Sequence, residues 1–319
     1  MGGGGAFLKD TSTEIVQERF KILQEYGVGT IDTAQLYGKS EEILGRENAA
    51  SRFAIDTKWP GGWTPGSLEA GAMVESAKES LQKLNTKQIE VMYFHAPDAS
   101  VPLDASLKVV NQLYQEGVFK RFGVSNHTPE EVREVYDHCK QHGYVLPSVY
   151  QGTYSAIARH IETDLLPMLR EFNMSFYGYS PLGGGFLTKT KDQVLQGAGR
   201  FNTAIGLSEL YSGLYMKPSM IAALEKWENI AENEGCSKAE LANRWVACSS
   251  ALKNEFGDGI IIGSTSPAQL RETLEQIKKG PLSEKSVQLI DEMWKSVEHE
   301  APKDNFDLNR GRSIMLVHV

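Results

Sequence analysis

The stretch VGTIDTAQLYGKSEEILGRENAASRFAIDTKWPGG (residues 28–62) holds two β-rich runs, 28–33 and 53–59. The first runs out through Asp32 towards Tyr37, and the second ends at Lys58, so each starts apolar and finishes on polar groups. The pattern continues downstream with β-rich runs at 89–95, 119–125, 148–154, 175–181 and 259–264. Amphipathic segments lie around them. Residues 13–26 carry Ile15, Val16, Phe20, Ile22 and Leu23, and residues 67–84 carry Leu68, Met73, Ala77 and Leu81. Such spacing places one apolar stripe on a helix. Further helical segments are expected at 103–116, 129–142, 161–172, 219–234, 238–249 and 267–277.

Strand and helix in alternation predict parallel β/α units. Seven strands are one short of a closed barrel, and the deficit falls before the 13–26 helix, where only residues 1–9 are available. The expectation is an α/β protein, a (β/α)₈ TIM barrel whose first strand is shortened or missing. An open doubly wound sheet is the alternative. No G-x-G-x-x-G follows the early strands, which argues against it. Such barrels form as one unit of roughly 250 residues or more, so the 319 residues are expected to make a single domain over 1–319.

The net charge of −8 argues against a nucleic-acid surface, which needs clustered Lys and Arg. Cys139, Cys236 and Cys248 have neither disulfide-framework nor zinc spacing, so a reducing compartment is expected. No apolar run reaches the roughly 18 residues of a membrane span. MGGGGAFLKD lacks the apolar centre of a signal peptide. The expected location is the cytoplasm; a homo-oligomer is compatible with the sequence and not specified by it.

Active sites of β/α barrels lie at the carboxyl ends of the strands. The groups expected there are Asp32 and Tyr37, Lys58, His95 (in YFHAPD), Ser125 and Asn126 (in GVSNH), Gln151, Tyr179 and Ser180. Singly, each has an ordinary explanation: a turn former, a packed ring, a solvated charge, a core histidine. Their placement on consecutive units is harder to explain that way. Reducing a carbonyl needs a hydride on carbon and a proton on oxygen. Free tyrosine, with a pKa of about 10, is a poor proton donor near neutrality. An ammonium at ~4 Å in a medium of effective dielectric about 20 stabilises tyrosinate by about 4 kcal/mol as an upper bound. Lys58 is therefore expected to lower the Tyr37 pKa. Asp32 would keep that lysine charged, and His95 would orient the carbonyl oxygen.

IDTAQLYG, DTKWPGG, FHAPD, GVSNH, VYQGTY, YSPLGGG and IIGSTSPAQLRETL together resemble the aldo-keto reductases, and within them the aflatoxin-aldehyde reductase branch. The likeness runs from about Phe7 to Ile277. It implies NADPH-dependent reduction of a small-molecule aldehyde or ketone, with Tyr37 as general acid supported by Asp32, Lys58 and His95. It also implies that Ser125, Asn126 and Gln151 hold the nicotinamide carboxamide and that Tyr179 stacks on the ring. Ser180, Pro181, Leu182, Gly184 and Arg200 would line the pyrophosphate. Ser264, Thr265, Gln269 and Glu272 would hold the adenosine end. Gly263 and Gln269 stand where many members carry Lys and Arg for the 2′-phosphate, and Thr273 stands where Asn is usual. A non-catalytic nicotinamide-binding redox sensor and a specialised barrel of altered activity are the alternatives.

Three features stay open at this level. The long glycine-rich segment after Pro181 is either a flap over a ligand or a surface insertion. Trp59 and Trp63 either wall the substrate pocket or anchor a loop. His138 and His142, four apart, read as a solvated helix face rather than a metal site, so no metal is expected.

Overall fold

The computed structural model describes residues 11–204 and 207–309. The expected first-strand stretch at residues 1–9, and the tail from residue 310, lie outside the described residues. In chain order the elements are α1 (Thr13–Glu25), β1 (Thr30–Asp32), α2 (Ser40–Arg46), β2 (Ala54–Trp59), α3 (Ala70–Lys83), β3 (Ile89–Phe94), α4 (Leu103–Gln115), β4 (Phe119–Ser125), α5 (Pro129–His142) and β5 (Pro147–Thr153). Then come α6 (Ile161–Asp164), α7 (Leu166–Glu171) and β6 (Ser175–Tyr179). The long connection holds α8 (Lys191–Leu195), α9 (Ser208–Tyr215), α10 (Pro218–Glu234) and α11 (Lys238–Arg244). It leads to β7 (Gly259–Ile261), α12 (Pro267–Lys278) and α13 (Glu284–Val297).

The sheet runs β1-β2-β3-β4-β5-β6-β7 with every neighbouring pair parallel. This is the (β/α)₈ TIM barrel, with seven strands among the described residues. On the remaining side, α1 and α12 approach each other. Arg271 pairs with Glu25 at 2.8 Å, Tyr26 donates to Glu275 at 3.1 Å, and Arg19 donates to the Ser264 hydroxyl at 2.8 Å. Among the described residues, the outer layer thus continues from α12 to α1, between the end strands β7 and β1.

Helix ends follow local chemistry. In α5, the Thr128 hydroxyl accepts from the Glu131 amide while Glu131 accepts from the Thr128 amide, Pro129 opens the first turn, and Gly143 closes the helix at φ +66°. The expected helix 161–172 is broken at Leu165, between α6 and α7. Pro167 has no N–H for the Thr163 carbonyl, and its ring crowds that carbonyl. The expected 238–249 helix stays α-helical only to Arg244 and then opens into a π turn over Trp245–Ser249.

Most apolar side chains pack between strands and helices. Inside the barrel, Val91, Tyr93 and Val149 form a smaller cluster with Tyr177. Gly123 faces Tyr93 there: a β-carbon at Gly123 would lie 2.4 Å from that ring. Asp56 shares this interior and is 1% exposed. Its Oδ2 accepts from the Tyr93 hydroxyl at 3.5 Å, and its Oδ1 has no partner among the described residues. Burial, reinforced by Asp32, pushes its pKa up to about 8 from 3.8. The unfolded chain releases this proton near pH 4 and the folded chain near pH 8. Between them the unfolded state binds fewer protons, so this group makes stability fall as pH rises. Asp56→Asn, which imitates the protonated acid, should therefore stabilise the protein by at least about 2 kcal/mol at pH 8 and hardly at all at pH 4. A melting series across that range checks it; a gain independent of pH would show that ionisation is not the cause.

Candidate active site

β1 and β2 lie in register with Asp32 beside Asp56, and Lys58 beside Tyr93. Lys58 and Asp56 are two apart in one strand, so both face inwards, with Lys58 nearer the carboxyl end. The Lys58 ammonium is fully buried. It donates to Asp32 Oδ1 at 2.5 Å and to the Thr33 carbonyl at 2.7 Å. It also lies 5.4 Å from the centres of both the Tyr37 and Tyr93 rings. Tyr37 and His95 meet edge to face at 5.6 Å. Asp32, Tyr37, Lys58 and His95 therefore share one mouth.

The electrostatics correct one expectation. The Tyr37 pKa is raised rather than lowered, first by burial and then by Asp32. Lys58 directs its charge at Asp32 and Thr33, and Arg200 is the cation that opposes the rise. Tyr37 therefore keeps its proton at neutral pH. His95 moves the other way: burial, then Lys58, hold its pKa well below 6.5. A neutral imidazole carries one N–H donor. Its Nδ1 is buried with no partner among the described residues.

The expected nicotinamide residues join the same group. Gln151 donates to Asp32 Oδ1 at 2.9 Å. Asn126 donates to the His95 carbonyl at 2.8 Å and to the Ser125 hydroxyl at 3.1 Å, and accepts from Tyr179 at 2.6 Å. Asn126 and Ser180 sit at φ +57° and +59°, a conformation that costs energy without glycine and concentrates at functional sites. Ser180 is followed by the buried Pro181 and by Leu182, which packs on the core.

The segment after Pro181 folds over this mouth. Gly183, Gly184 and Gly185 all have positive φ. A β-carbon on Gly184 would come within 2.1 Å of the Tyr211 ring. Arg200 bonds the Tyr211 hydroxyl and lies 4.8 Å over that ring. Both residues act electrostatically on Tyr37, which places them near its hydroxyl. Lys189 donates to the Gly185 carbonyl at 3.0 Å, and burial, then Arg200, lower its pKa. Two cations beside backbone that only glycine adopts comfortably make a fitting place for a pyrophosphate.

Ser264, Thr265, Gln269 and Glu272 gather separately, at the β7–α12 junction. Thr265 donates from both its amide and its hydroxyl to Gln269, at 2.7 and 2.9 Å. Glu272 is exposed and accepts from Gln276 at 3.0 Å. The cap of α12 is Ser266, and the Ser264 hydroxyl is held by Arg19. The two tryptophans divide. Trp59 is a core residue donating to the Met73 carbonyl at 3.2 Å, whereas Trp63 lies 6.2 Å from His95 and 4.9 Å from Phe306, at the mouth.

A family model described as "Aldo/keto reductase family" matches residues 1–295. The chain belongs to the aldo/keto reductase family. It is 35% identical to oxidoreductase sirO of Leptosphaeria maculans, over 93% of this chain and 91% of that one. It is 38% identical to an aldo-keto reductase of Pseudocercospora fijiensis (strain CIRAD86), over 86% of this chain and 96% of that one. It is 37% identical to human aflatoxin B1 aldehyde reductase member 4, over 87% of this chain and 88% of that one. An oxidoreductase using a nicotinamide cofactor follows. Among the described residues, no helix is long and apolar enough to cross a membrane.

Three residues that touch the expected site groups carry no expectation from the sequence: Lys189, Tyr211 and Arg19. Lys189 carried a weak signal, four residues after the glycine triplet. Arg19 carried none, because its partner Ser264 is 245 positions away.

Proposed function

We propose that this aldo/keto reductase, a single barrel domain, reduces a small aldehyde or ketone to its alcohol with NADPH, with Tyr37 giving the proton. The observation that carries this reading is a protonated Tyr37 held between the Lys58 ammonium and a neutral His95. When bound, the reduced nicotinamide supplies the hydride. His95 offers its N–H to the carbonyl oxygen and fixes its direction. As charge builds on that oxygen, the Tyr37 hydroxyl transfers its proton, and the charge of the phenolate left behind is offset by Arg200 together with what Asp32 leaves of the Lys58 charge, 5.4 Å from the ring.

For the cofactor, Ser125, Asn126 and Gln151 would hold the carboxamide and Tyr179 the ring. Ser180, Pro181, Leu182, Gly184 and Arg200 would hold the pyrophosphate, with Lys189 beside them. Ser264, Thr265, Gln269 and Glu272 would hold the adenosine. The Arg19 guanidinium on Ser264 supports the phosphorylated cofactor over NADH. The test is steady-state turnover of 4-nitrobenzaldehyde with NADPH, expected on the order of 1 s⁻¹ or more. Tight NADPH binding without turnover would instead favour a redox sensor; no nicotinamide binding at all would favour a barrel of altered activity.

A further inference from the structure

On the outer helical layer, apart from the catalytic group, α5 presents His138 and His142 one turn apart. In the structure Asp104, in the first turn of α4, completes a cluster with them. One ring nitrogen of each histidine and a carboxylate oxygen of Asp104 lie within 4.8 Å of one another. His138 Nε2 is 3.0 Å from Asp104 Oδ1. The two imidazoles stack at 4.2 Å, 22° from parallel, and Tyr144 lies 5.5 Å from His142 on a similar plane.

We propose that Asp104, His138 and His142 form a surface site for a late first-row divalent cation, Zn²⁺ in the first instance. The donor set decides the class of ion. Two imidazoles and one carboxylate suit Zn²⁺, Cu²⁺ or Ni²⁺, whereas Mg²⁺ and Ca²⁺ take oxygen ligands. The orientation of His142 supports the site independently of its spacing. Its Nδ1 lies 2.9 Å from the His138 carbonyl, which only accepts, so Nδ1 carries the proton and Nε2 keeps its lone pair. A backbone carbonyl on the second nitrogen is the usual way in which a ligating histidine is held in its tautomer. Tetrahedral Zn²⁺ with bonds of about 2.1 Å needs ligand atoms about 3.4 Å apart. The three groups contract to that spacing by side-chain rotation, since Asp104 and His142 are exposed and His138 is partly so. Water completes the coordination. The ion replaces the hydrogen bond between His138 and Asp104, joins α4 to α5, and sits at the carboxyl end of α5, where the helix dipole favours a cation.

A plain His138–Asp104 ion pair on a solvated face is the competing explanation, and it gives His142 no part. Calorimetric titration of the chelator-treated full chain with Zn²⁺ separates the two. The expected result is one equivalent bound. His142→Ala and His138→Ala should each weaken it by more than about tenfold, and Asp104→Asn should weaken it less. Zn²⁺ should raise the melting temperature of the unaltered protein and not of His142→Ala, because binding to the folded state alone stabilises it. Loading with Cu²⁺ gives a second readout: its electron paramagnetic resonance should show two equatorial imidazole nitrogens, reduced to one in His142→Ala. No Zn²⁺ bound at about 100 µM, binding unchanged in both histidine variants, or a Cu²⁺ spectrum indifferent to His142 would each overturn the proposal.

Discussion

Tyr37→Phe is expected to lower kcat by a factor on the order of 10³ while leaving the affinity for NADPH within about twofold. A positioned general acid contributes roughly 10²–10⁴ to a proton-transfer step. The upper part of that range suits a group that burial and Asp32 keep protonated until the oxygen demands the proton. Phenylalanine keeps the ring that packs edge-on against His95 and loses only the hydroxyl. Steady-state kinetics give kcat, and quenching of intrinsic fluorescence gives the NADPH dissociation constant. If both parameters collapse together, Tyr37 is holding the mouth open rather than supplying a proton. If neither moves, another acid acts, and the reading of this site is wrong. Because the Tyr37 pKa is raised, its protonation should not limit kcat anywhere between pH 6 and 9. An alkaline fall in that window that vanishes in Tyr37→Phe would contradict the raised value.

The barrel could be read from the sequence because each strand announces itself by an apolar run with a polar end. IDTAQLYG and DTKWPGG gave Asp32, Tyr37 and Lys58 for that reason, and the fold brings them together as alternation requires. Short helices were harder: α2, SEEILGR, spans under two turns and shows no full stripe. Its Glu41 is buried against the Thr57 hydroxyl at 2.6 Å, a position that charge patterning assigns to solvent. The sign of the Tyr37 shift was misjudged because sequence shows which charges are near but not which are already engaged. Lys58 is bound on two sides before Tyr37 is reached. The same holds for Trp59 and Trp63. They are four apart, one at the end of β2 and the other in the turn after it, and only packing sends one into the core and the other to the mouth. The cation cluster was invisible for a related reason. The histidines could be seen in the sequence, but Asp104, 34 residues earlier, enters only through the contact of α4 with α5.

Lys58→Met should damage both activity and stability, and the two losses can be separated. The ammonium is wholly buried, with Asp32 only 9% exposed. Removing one partner of such a pair costs about 3–5 kcal/mol, mainly through the charge left in a dry place. For a chain of this size that lowers the melting temperature by roughly 4–8 °C. Asp32 retains Gln151, but an amide does not neutralise a carboxylate. Asp32→Asn in the same chain removes that charge too. The double variant Asp32→Asn/Lys58→Met should therefore regain at least half of the lost stability, since burying neither ion avoids both desolvation penalties. Activity should stay well below that of the unaltered protein, because the phenolate formed as Tyr37 gives up its proton has lost one of the two cations beside it. If restored stability brought back restored turnover, Lys58 would be a structural residue, and the cation assisting Tyr37 would have to be Arg200, whose field already reaches it.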